Sequence, residues 1–259
     1  MTWIELEGAV NTRDVGGLPT RDGRRVAYRK LLRSDHLQDL TDNDIKLLTG
    51  THGVRTVVDL RTNTERASEG PGPLRAVDHV RHLDLSVLPE AGDRTDVAAE
   101  ALASQRRRRN HERYPANYMT GLYLGYLEDR GDNVVRAIRA IANTDGAALV
   151  HCAAGKDRTG TVVALTLSAV DVEPDAVIND YARTAERIEL VLDRLRATPT
   201  YSHDIDRIPV DAHRPRGETM EAFLEQLELK YGGAIGWLER HGFTDDEFER
   251  LRRRLVDES

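Results

Sequence analysis

The segment 151–160, His-Cys-Ala-Ala-Gly-Lys-Asp-Arg-Thr-Gly, constrains this chain most, because it places glycine and charged residues between two apolar runs. Residues 147–150 are all apolar and predict a short buried strand that runs directly into the segment. After the segment, apolar residues recur with no helix breaker until Pro174, which predicts a buried helix beginning at about Arg158. Cys152 is therefore expected on a strand-to-helix turn.

A turn of this kind can bind an anion through its backbone. Successive N–H groups point inward, and the dipole of the following helix adds positive potential. Gly155 permits backbone angles that a residue with a Cβ would resist, and Lys156 adds a charge at the rim. The planar guanidinium of Arg158 can hold two phosphoryl oxygens at once. We therefore predict a phosphate site formed by Ala153, Ala154, Gly155, Lys156, Asp157 and Arg158.

Cys152 is the only cysteine of the 259 residues, which excludes an internal disulfide and a cysteine-rich zinc site. An isolated cysteine at the end of a strand is most often an inert core thiol. The charged break that follows Cys152 argues against this interpretation, because a plain core cysteine does not require it. An anion-binding turn favours the thiolate at neutral pH, so we expect Cys152 to be a nucleophile.

The rest of the chain alternates short apolar runs with longer segments of helical period, which is typical of an α/β sheet flanked by helices. Strands are expected at 54–60, 80–85 and 147–150, and helices at 41–48, around 134–142, after Pro174, and at 220–229, 234–240 and 248–255. We expect one domain over residues 1–259. Residues 86–115 are polar and rich in alanine and predict a helical lid inserted in that domain, whereas residues 201–217 predict a loop.

The charge of the chain limits the classes of partner. Lysine and arginine total 37 against 44 acidic residues, so the net charge is −7 and gives no sign of nucleic-acid binding. No apolar run approaches the roughly 20 residues that span a bilayer, and the N-terminus lacks a secretory signal, so a cytoplasmic protein is expected. Residues 106–109 are four consecutive arginines, interpreted as a solvated helix face or as a patch that attracts acidic substrates.

These motifs resemble a known family. Residues 151–160 match the Cys-x5-Arg loop of protein tyrosine phosphatases, and their Gly-Lys-Asp-Arg-Thr-Gly form is similar to the bacterial tyrosine and lipid phosphatases typified by mycobacterial protein tyrosine phosphatase B. The resemblance continues through residues 11–17, 32–34, 59–61 with Glu65, 118–119 and 231–233. It implies a mostly parallel, cysteine-phosphatase-like sheet and a phosphatase that needs no metal or cofactor. The implied substrates are phosphotyrosine proteins, with phosphoserine, phosphothreonine or phosphoinositides as further candidates.

A phosphatase of this kind also needs a carboxylic acid that protonates the leaving oxygen. The Trp-Pro-Asp triplet of the best-known tyrosine phosphatases does not occur in this chain. Asp157 lies inside the loop, as in myotubularin and Sac phosphoinositide phosphatases, and Asp59 ends a predicted strand beside it. We favour Asp157. Asp59 would then shape the pocket with Arg61, or form a cap or a salt bridge that orients Arg158.

Four further residues are candidates for supporting roles. Thr159 can donate to the sulfur of the nucleophile or act as a helix N-cap. His151 can order the loop or be a buried histidine satisfied by the backbone. The resemblance implies that Arg13 and Asp14 support the pocket, and the alternative is a surface ion pair.

Two other functions also suit a cysteine in an anion-binding loop. One is a rhodanese-like sulfurtransferase, although the sequence Lys-Asp-Arg-Thr at 156–159 favours phosphate. The other is a phosphate-recognition module that binds without turnover. Release of phosphate or of thiocyanate distinguishes the three.

Overall fold

The computed structural model describes residues 2–90, 118–206 and 209–257. The described residues form a mixed six-stranded sheet in the order β1-β2-β3-β6-β4-β5. The pairs β3/β6, β6/β4 and β4/β5 are parallel, and the two pairs that involve β2 are antiparallel. The mostly parallel α/β sheet expected from the sequence is confirmed. The strands are β1 Thr2–Trp3, β2 Arg13–Asp14, β3 Leu31–Ser34, β4 Val54–Asp59, β5 Arg81–Asp84 and β6 Ala147–His151.

Helices flank this sheet. They are α1 Asp42–Lys46, α2 Asn63–Glu69, α3 Tyr118–Ala142, α4 Asp157–Ala169, α5 Pro174–Ala182, α6 Ile188–Arg196, α7 Ser202–Ile205, α8 Val210–His213, α9 Gly217–Tyr231, α10 Gly233–Arg240 and α11 Asp245–Leu255. A π-helical turn, Leu47–Thr51, follows α1, and 3₁₀ turns span Pro73–Ala76 and Arg183–Arg187. Among the described helices, none has the length and apolar character needed to cross a membrane.

The two faces of the sheet carry separate cores, because successive side chains of a strand point in opposite directions. Val58 and Val150 pack on the face covered by α3, α4 and α9 to α11. Val57 and Leu149 pack on the other face, against the N-terminal segment and the turn after α1. A third, smaller cluster joins α6 to the loop that follows β6.

Several local predictions are confirmed. The helix expected at 41–48 is present as α1 and the turn after it, and Thr41 caps α1 in a capping box with Asp44. A helix follows at Pro174, as expected, and α4 begins at Asp157, one residue before the expected start. The three N-terminal strands were not predicted; β1 and β2 have only two residues each, which is too short to show an alternating pattern.

Two predictions about helical segments are wrong. The single helix expected after Pro174 is divided into α5, a 3₁₀ turn and α6, and α5 ends where Arg13 Nη2 donates to the carbonyl of Asp180 at 2.7 Å. The loop expected at 201–217 contains α7 and α8. Their lengths of four residues each give no helical period that a sequence could show.

The predicted lid falls mainly outside the described residues. Residues 86–90 are described and follow β5. Residues 91–117 are not, so the arginine run 106–109 and Tyr114 lie outside the described residues. The lid stays a prediction.

Candidate active site

Cys152 lies at the carboxyl end of β6, between the ends of β3 and β4. The five residues 152–156 form a loop that leads directly into α4. Cys152 is buried, with 1% of its surface exposed. The predicted strand-to-helix turn is therefore present, at the sheet edge where ligands of open α/β sheets bind.

The carbonyl groups of this loop are held from outside. His36 N donates to Ala153 O at 2.9 Å, Asn11 Nδ2 donates to Ala154 O at 2.9 Å, and Arg33 Nη2 donates to Gly155 O at 2.7 Å. By contrast, the N–H groups of residues 153–156 have no acceptor among the described residues. A loop with its carbonyls occupied and its donors free is suited to an anion.

Gly155 is required by its surroundings. Its φ of +66° lies in the left-handed region, and a Cβ at this position would be 2.4 Å from Ser34 O. Any side chain would push the loop away from β3.

Arg158 is oriented by Glu65. The two guanidinium nitrogens Nη1 and Nη2 donate to the two carboxylate oxygens at 2.7 and 2.8 Å. Glu65 also accepts from the N–H of Thr62, with which it forms the capping box of α2, and from the hydroxyl of Tyr201. Burial alone would raise the pKa of Glu65, but the charge and hydrogen bonds of Arg158 and the other donors lower it to about 2. Glu65 therefore holds its charge opposite Arg158.

Asp59 is paired with Arg61, one of the two partners considered from the sequence. It does not orient Arg158; instead it accepts from the backbone N–H of Arg61 at 3.0 Å and from the guanidinium Nη2 at 2.7 Å. His151 Nε2 lies 3.6 Å from the same carboxylate. Burial opposes the charge of Asp59, but His151 and Arg61 lower its pKa below the ordinary value. A carboxylate held in an ion pair of this kind is poorly placed to carry a proton.

His151 is buried and lies next to the nucleophile. Its Nδ1 is 3.2 Å from Cys152 O. Burial lowers the pKa of His151 to about 4, against the attraction of Asp59, so the ring is neutral at pH 7. The single proton of the neutral ring lies on Nδ1, which donates to Cys152 O and so orders the end of β6.

Asp157, the other acid candidate, is accessible. Its side chain keeps 25% of its surface exposed, and Tyr123 OH donates to Oδ1 at 2.5 Å. Lys156 Nζ lies 3.5 Å from Oδ2 and donates to the carbonyl of His213 at 2.9 Å. Asp157 thus has a hydroxyl donor on one oxygen and a partly open second oxygen.

Arg13 supports the loop through a buried network. Arg13 and Arg33 both donate to the carboxylate of Asp180, and all three side chains are at most 2% exposed. Arg33 also donates to Gly155 O, so the network is connected to the loop. Asp14 is also buried, but it accepts from the N–H groups of Gly16 and Arg29 and so stabilises a turn. The surface ion pair considered from the sequence is not present.

Thr159 lies in the first turn of α4 and is fully buried. Its hydroxyl forms no hydrogen bond with any described residue, and the N-cap position belongs to Lys156. A role for Thr159 at the sulfur stays a prediction.

One side of the site is formed by residues that the sequence did not single out. Ile205 and Val210 pack with Ala153 and Ala154 of the loop, while Tyr201 binds Glu65. The capping-box spacing of Thr62 and Glu65 was a usable signal for that carboxylate. No comparable signal marks the segment from α7 to α8.

The described ranges contain no group of three His, Cys, Asp or Glu side chains that could bind a metal ion. The site consists of a cysteine, an anion-binding loop, an oriented arginine and an accessible carboxylate.

Comparison with known proteins agrees with this arrangement. Residues 4–257 match the model of the tyrosine phosphatase family. The chain is 30% identical to the triple specificity protein phosphatase PtpB of Mycobacterium tuberculosis, an alignment that covers 97% of this chain and 98% of the relative. It is 29% identical to a tyrosine-protein phosphatase of Nostoc commune, over 86% of this chain and 73% of the relative.

Proposed function

The chain belongs to the tyrosine phosphatase family, and we propose that it hydrolyses phosphomonoesters through a phosphocysteine intermediate on Cys152, without a metal or other cofactor. The observation that carries this proposal is the loop 152–156. The carbonyls of residues 153–155 are held from outside the loop, while the four N–H groups of residues 153–156 have no acceptor among the described residues. Those donors and Arg158 together match the equatorial oxygens of a phosphoryl group.

In the first step the thiolate of Cys152 attacks phosphorus, so that an S–P bond forms and the P–O bond to the leaving group breaks. Asp157 gives its proton to the leaving oxygen. Arg158, held by Glu65, and the loop N–H groups stabilise the charge that develops on the transferred phosphoryl oxygens.

In the second step Asp157 accepts a proton from water, and the water oxygen attacks phosphorus. The S–P bond breaks, inorganic phosphate leaves, and the thiolate of Cys152 is regenerated. Asp59 serves the pocket by holding Arg61 in place.

The substrates proposed are phosphotyrosine proteins, with phosphoinositides as a second class. The family description supports phosphotyrosine as a substrate, and the name of the mycobacterial relative, a triple specificity protein phosphatase, supports a wider range. The same comparison supports hydrolysis over the sulfurtransferase and the recognition module. A cytoplasmic location and a single domain stay predictions.

The proposal is tested with Cys152→Ser. We expect this variant to lose turnover and to keep binding of phosphate esters, because the loop and Arg158 remain while a hydroxyl without an activating base is a poor nucleophile. Phosphate release from phosphopeptides and phosphoinositides, with and without chelator, is the measurement. Turnover by Cys152→Ser, or loss of wild-type activity on chelation, would contradict the mechanism.

The assignment of the acid is tested by Asp157→Asn and Asp59→Asn. General acid catalysis contributes about 10²–10⁴ in rate, mainly for leaving groups that need protonation. Asp157→Asn should therefore slow alkyl phosphates far more than an activated aryl phosphate such as 4-nitrophenyl phosphate. A strong leaving-group dependence at Asp59 instead would reverse the assignment.

A further inference from the structure

Two buried phenols connect Asp157 to the interior of the molecule. Tyr123 OH lies 2.5 Å from Asp157 Oδ1, and Tyr181 OH lies 2.6 Å from Tyr123 OH. Tyr123 is fully buried on α3 and Tyr181 is 2% exposed on α5. The three residues therefore form a hydrogen-bonded chain from α5, through α3, to the first residue of α4.

The direction of this chain follows from its members. A carboxylate can only accept, so the single proton of Tyr123 is directed to Asp157, and Tyr181 donates in turn to Tyr123. Burial, together with the charge of Asp157, raises the pKa of both phenols, which keeps them neutral at pH 7. If Asp157 carries a proton on Oδ2, its Oδ1 still accepts from Tyr123. The chain is thus compatible with both protonation states.

Packing leaves the phenols little freedom to move. The ring of Tyr123 lies 5.9 to 6.1 Å, centroid to centroid, from the rings of Tyr126, Tyr181 and Phe223. Tyr181 lies so close to α4 that a Cβ on Gly160 would be 2.9 Å from its ring. Rigid rings place the Tyr123 hydroxyl, and through it Asp157, at a defined point of the site.

We propose that Tyr123, supported by Tyr181, is the positioning residue of the general acid. By binding Oδ1 it leaves Oδ2, on the partly exposed side of Asp157, to exchange a proton with the leaving oxygen and then with water. This inference rests on the proposed function and adds to it a residue that neither the motif nor the comparisons assign.

The residues around Asp59 and Asp157 differ, which explains why only Asp157 needs a positioning residue. Asp59 is bound twice by the guanidinium of Arg61, a cation that favours permanent ionisation. The direct hydrogen bond to Asp157 comes from a neutral phenol, while the ammonium of Lys156 is 3.5 Å away and is engaged by His213 O. A neutral hydrogen-bond donor fixes the position of a carboxylate. It disfavours the protonated form of that carboxylate less than a cation does.

The test is the kinetics of Tyr123→Phe on two substrates, an alkyl phosphate and 4-nitrophenyl phosphate. We expect kcat for the alkyl phosphate to fall about tenfold, in line with one hydrogen bond to a charged group, and kcat for the aryl phosphate to change less than about twofold. A merely structural effect would slow both substrates equally, and that result would overturn the proposal.

A double-mutant cycle makes the test specific to Asp157. In an Asp157→Asn background, Tyr123→Phe should cause no further loss on the alkyl phosphate, because its effect passes through the missing acid. Additive losses would overturn the proposal. Tyr231→Phe is the control, since this phenol lies at the end of α9, where its ring contacts Arg240.

One further variant separates folding from positioning. Tyr123→Phe leaves the hydroxyl of Tyr181 buried without its partner, whereas Tyr123→Phe combined with Tyr181→Phe removes both hydroxyls and keeps both rings. If the double variant is as stable as wild type in denaturant and keeps the selective loss on the alkyl phosphate, the effect is one of positioning. A double variant with unchanged alkyl-phosphate kinetics would overturn the inference, and the phosphatase assignment would still depend only on Cys152→Ser.

Discussion

At the scale of single residues, the orientation of Arg158 depends on one carboxylate. Glu65 binds both guanidinium nitrogens and is itself held by Thr62 and Tyr201. The planar fork of Arg158 is thereby fixed before a phosphate arrives, which reduces the conformational entropy lost in the transition state.

We predict that Glu65→Gln lowers kcat/KM about tenfold or more. Hydrogen bonds to charged groups are worth about 1.5–3 kcal/mol, and an amide can accept from Arg158 through one oxygen only. The exposed Glu221→Gln on α9 is the matched control. The measurement is steady-state kinetics on 4-nitrophenyl phosphate. Equal kcat/KM values for the two variants would show that Glu65 does not orient Arg158.

The same carboxylate makes stability depend on pH. The pKa of Glu65 is about 2 in the folded protein against 4.5 ordinarily, so its stabilising contribution is present above about 4.5 and is lost as the pH falls towards 2. Wild type should therefore lose more free energy of unfolding than Glu65→Gln between pH 5 and pH 2. Denaturant unfolding at several pH values measures this difference, and parallel curves would contradict it.

At the scale of elements, α5 supports the loop from two consecutive residues. Asp180 binds Arg13 and Arg33, and Arg33 holds Gly155 O, whereas Tyr181 reaches Asp157 through Tyr123. The loop is thus supported at its glycine and at the start of α4 by one short helix.

We predict that Asp180→Ala destabilises the protein by about 3–5 kcal/mol, because it leaves two buried arginines without their counter-charge. Asp175→Ala, at an exposed position of the same helix, is the control and should cost about 1 kcal/mol or less. Denaturant unfolding measures both values. Asp180→Asn, which keeps the shape, should retain the fold and bind phosphate more weakly than wild type; unchanged stability in both variants would contradict the role of the network.

At the scale of the whole molecule, the net charge of −7 means that attraction of anionic substrates has to be local. The buried arginines behind the loop, together with its N–H groups and the dipole of α4, form a local positive region in an acidic protein. The nucleophile proposed at this place is the single cysteine of the chain.

We predict that peroxide inactivates the enzyme and that phosphate protects it, since a thiolate is the form that oxidises. With no second cysteine in the chain, an internal disulfide cannot trap the sulfenic acid, so activity should become unrecoverable by thiols on prolonged exposure. Activity after timed peroxide treatment, with and without added thiol, is the measurement. Full activity after excess peroxide would contradict the role of Cys152 as the nucleophile.

The sequence by itself determined the α/β class, the strand-to-helix turn and the loop chemistry, because these depend on residues close together in the chain. Only five residues lie between Cys152 and Arg158, and the capping of α1, α2 and α11 is equally local. The short strands β1 and β2 and the helices α7 and α8 were missed because two to four residues cannot display a period.

Only the tertiary structure decided which residues hold this loop in place. Glu65 is 93 positions from Arg158, Tyr123 is 34 from Asp157, and Asp180 is 147 from Arg33. A hydrogen bond or ion pair between such residues leaves no mark in local spacing, since it exists only after the sheet and its helices bring the side chains together. The folded structure also pairs Asp59 with Arg61 and leaves Asp157 as the accessible carboxylate. The positions of the two aspartates in the chain do not determine this difference.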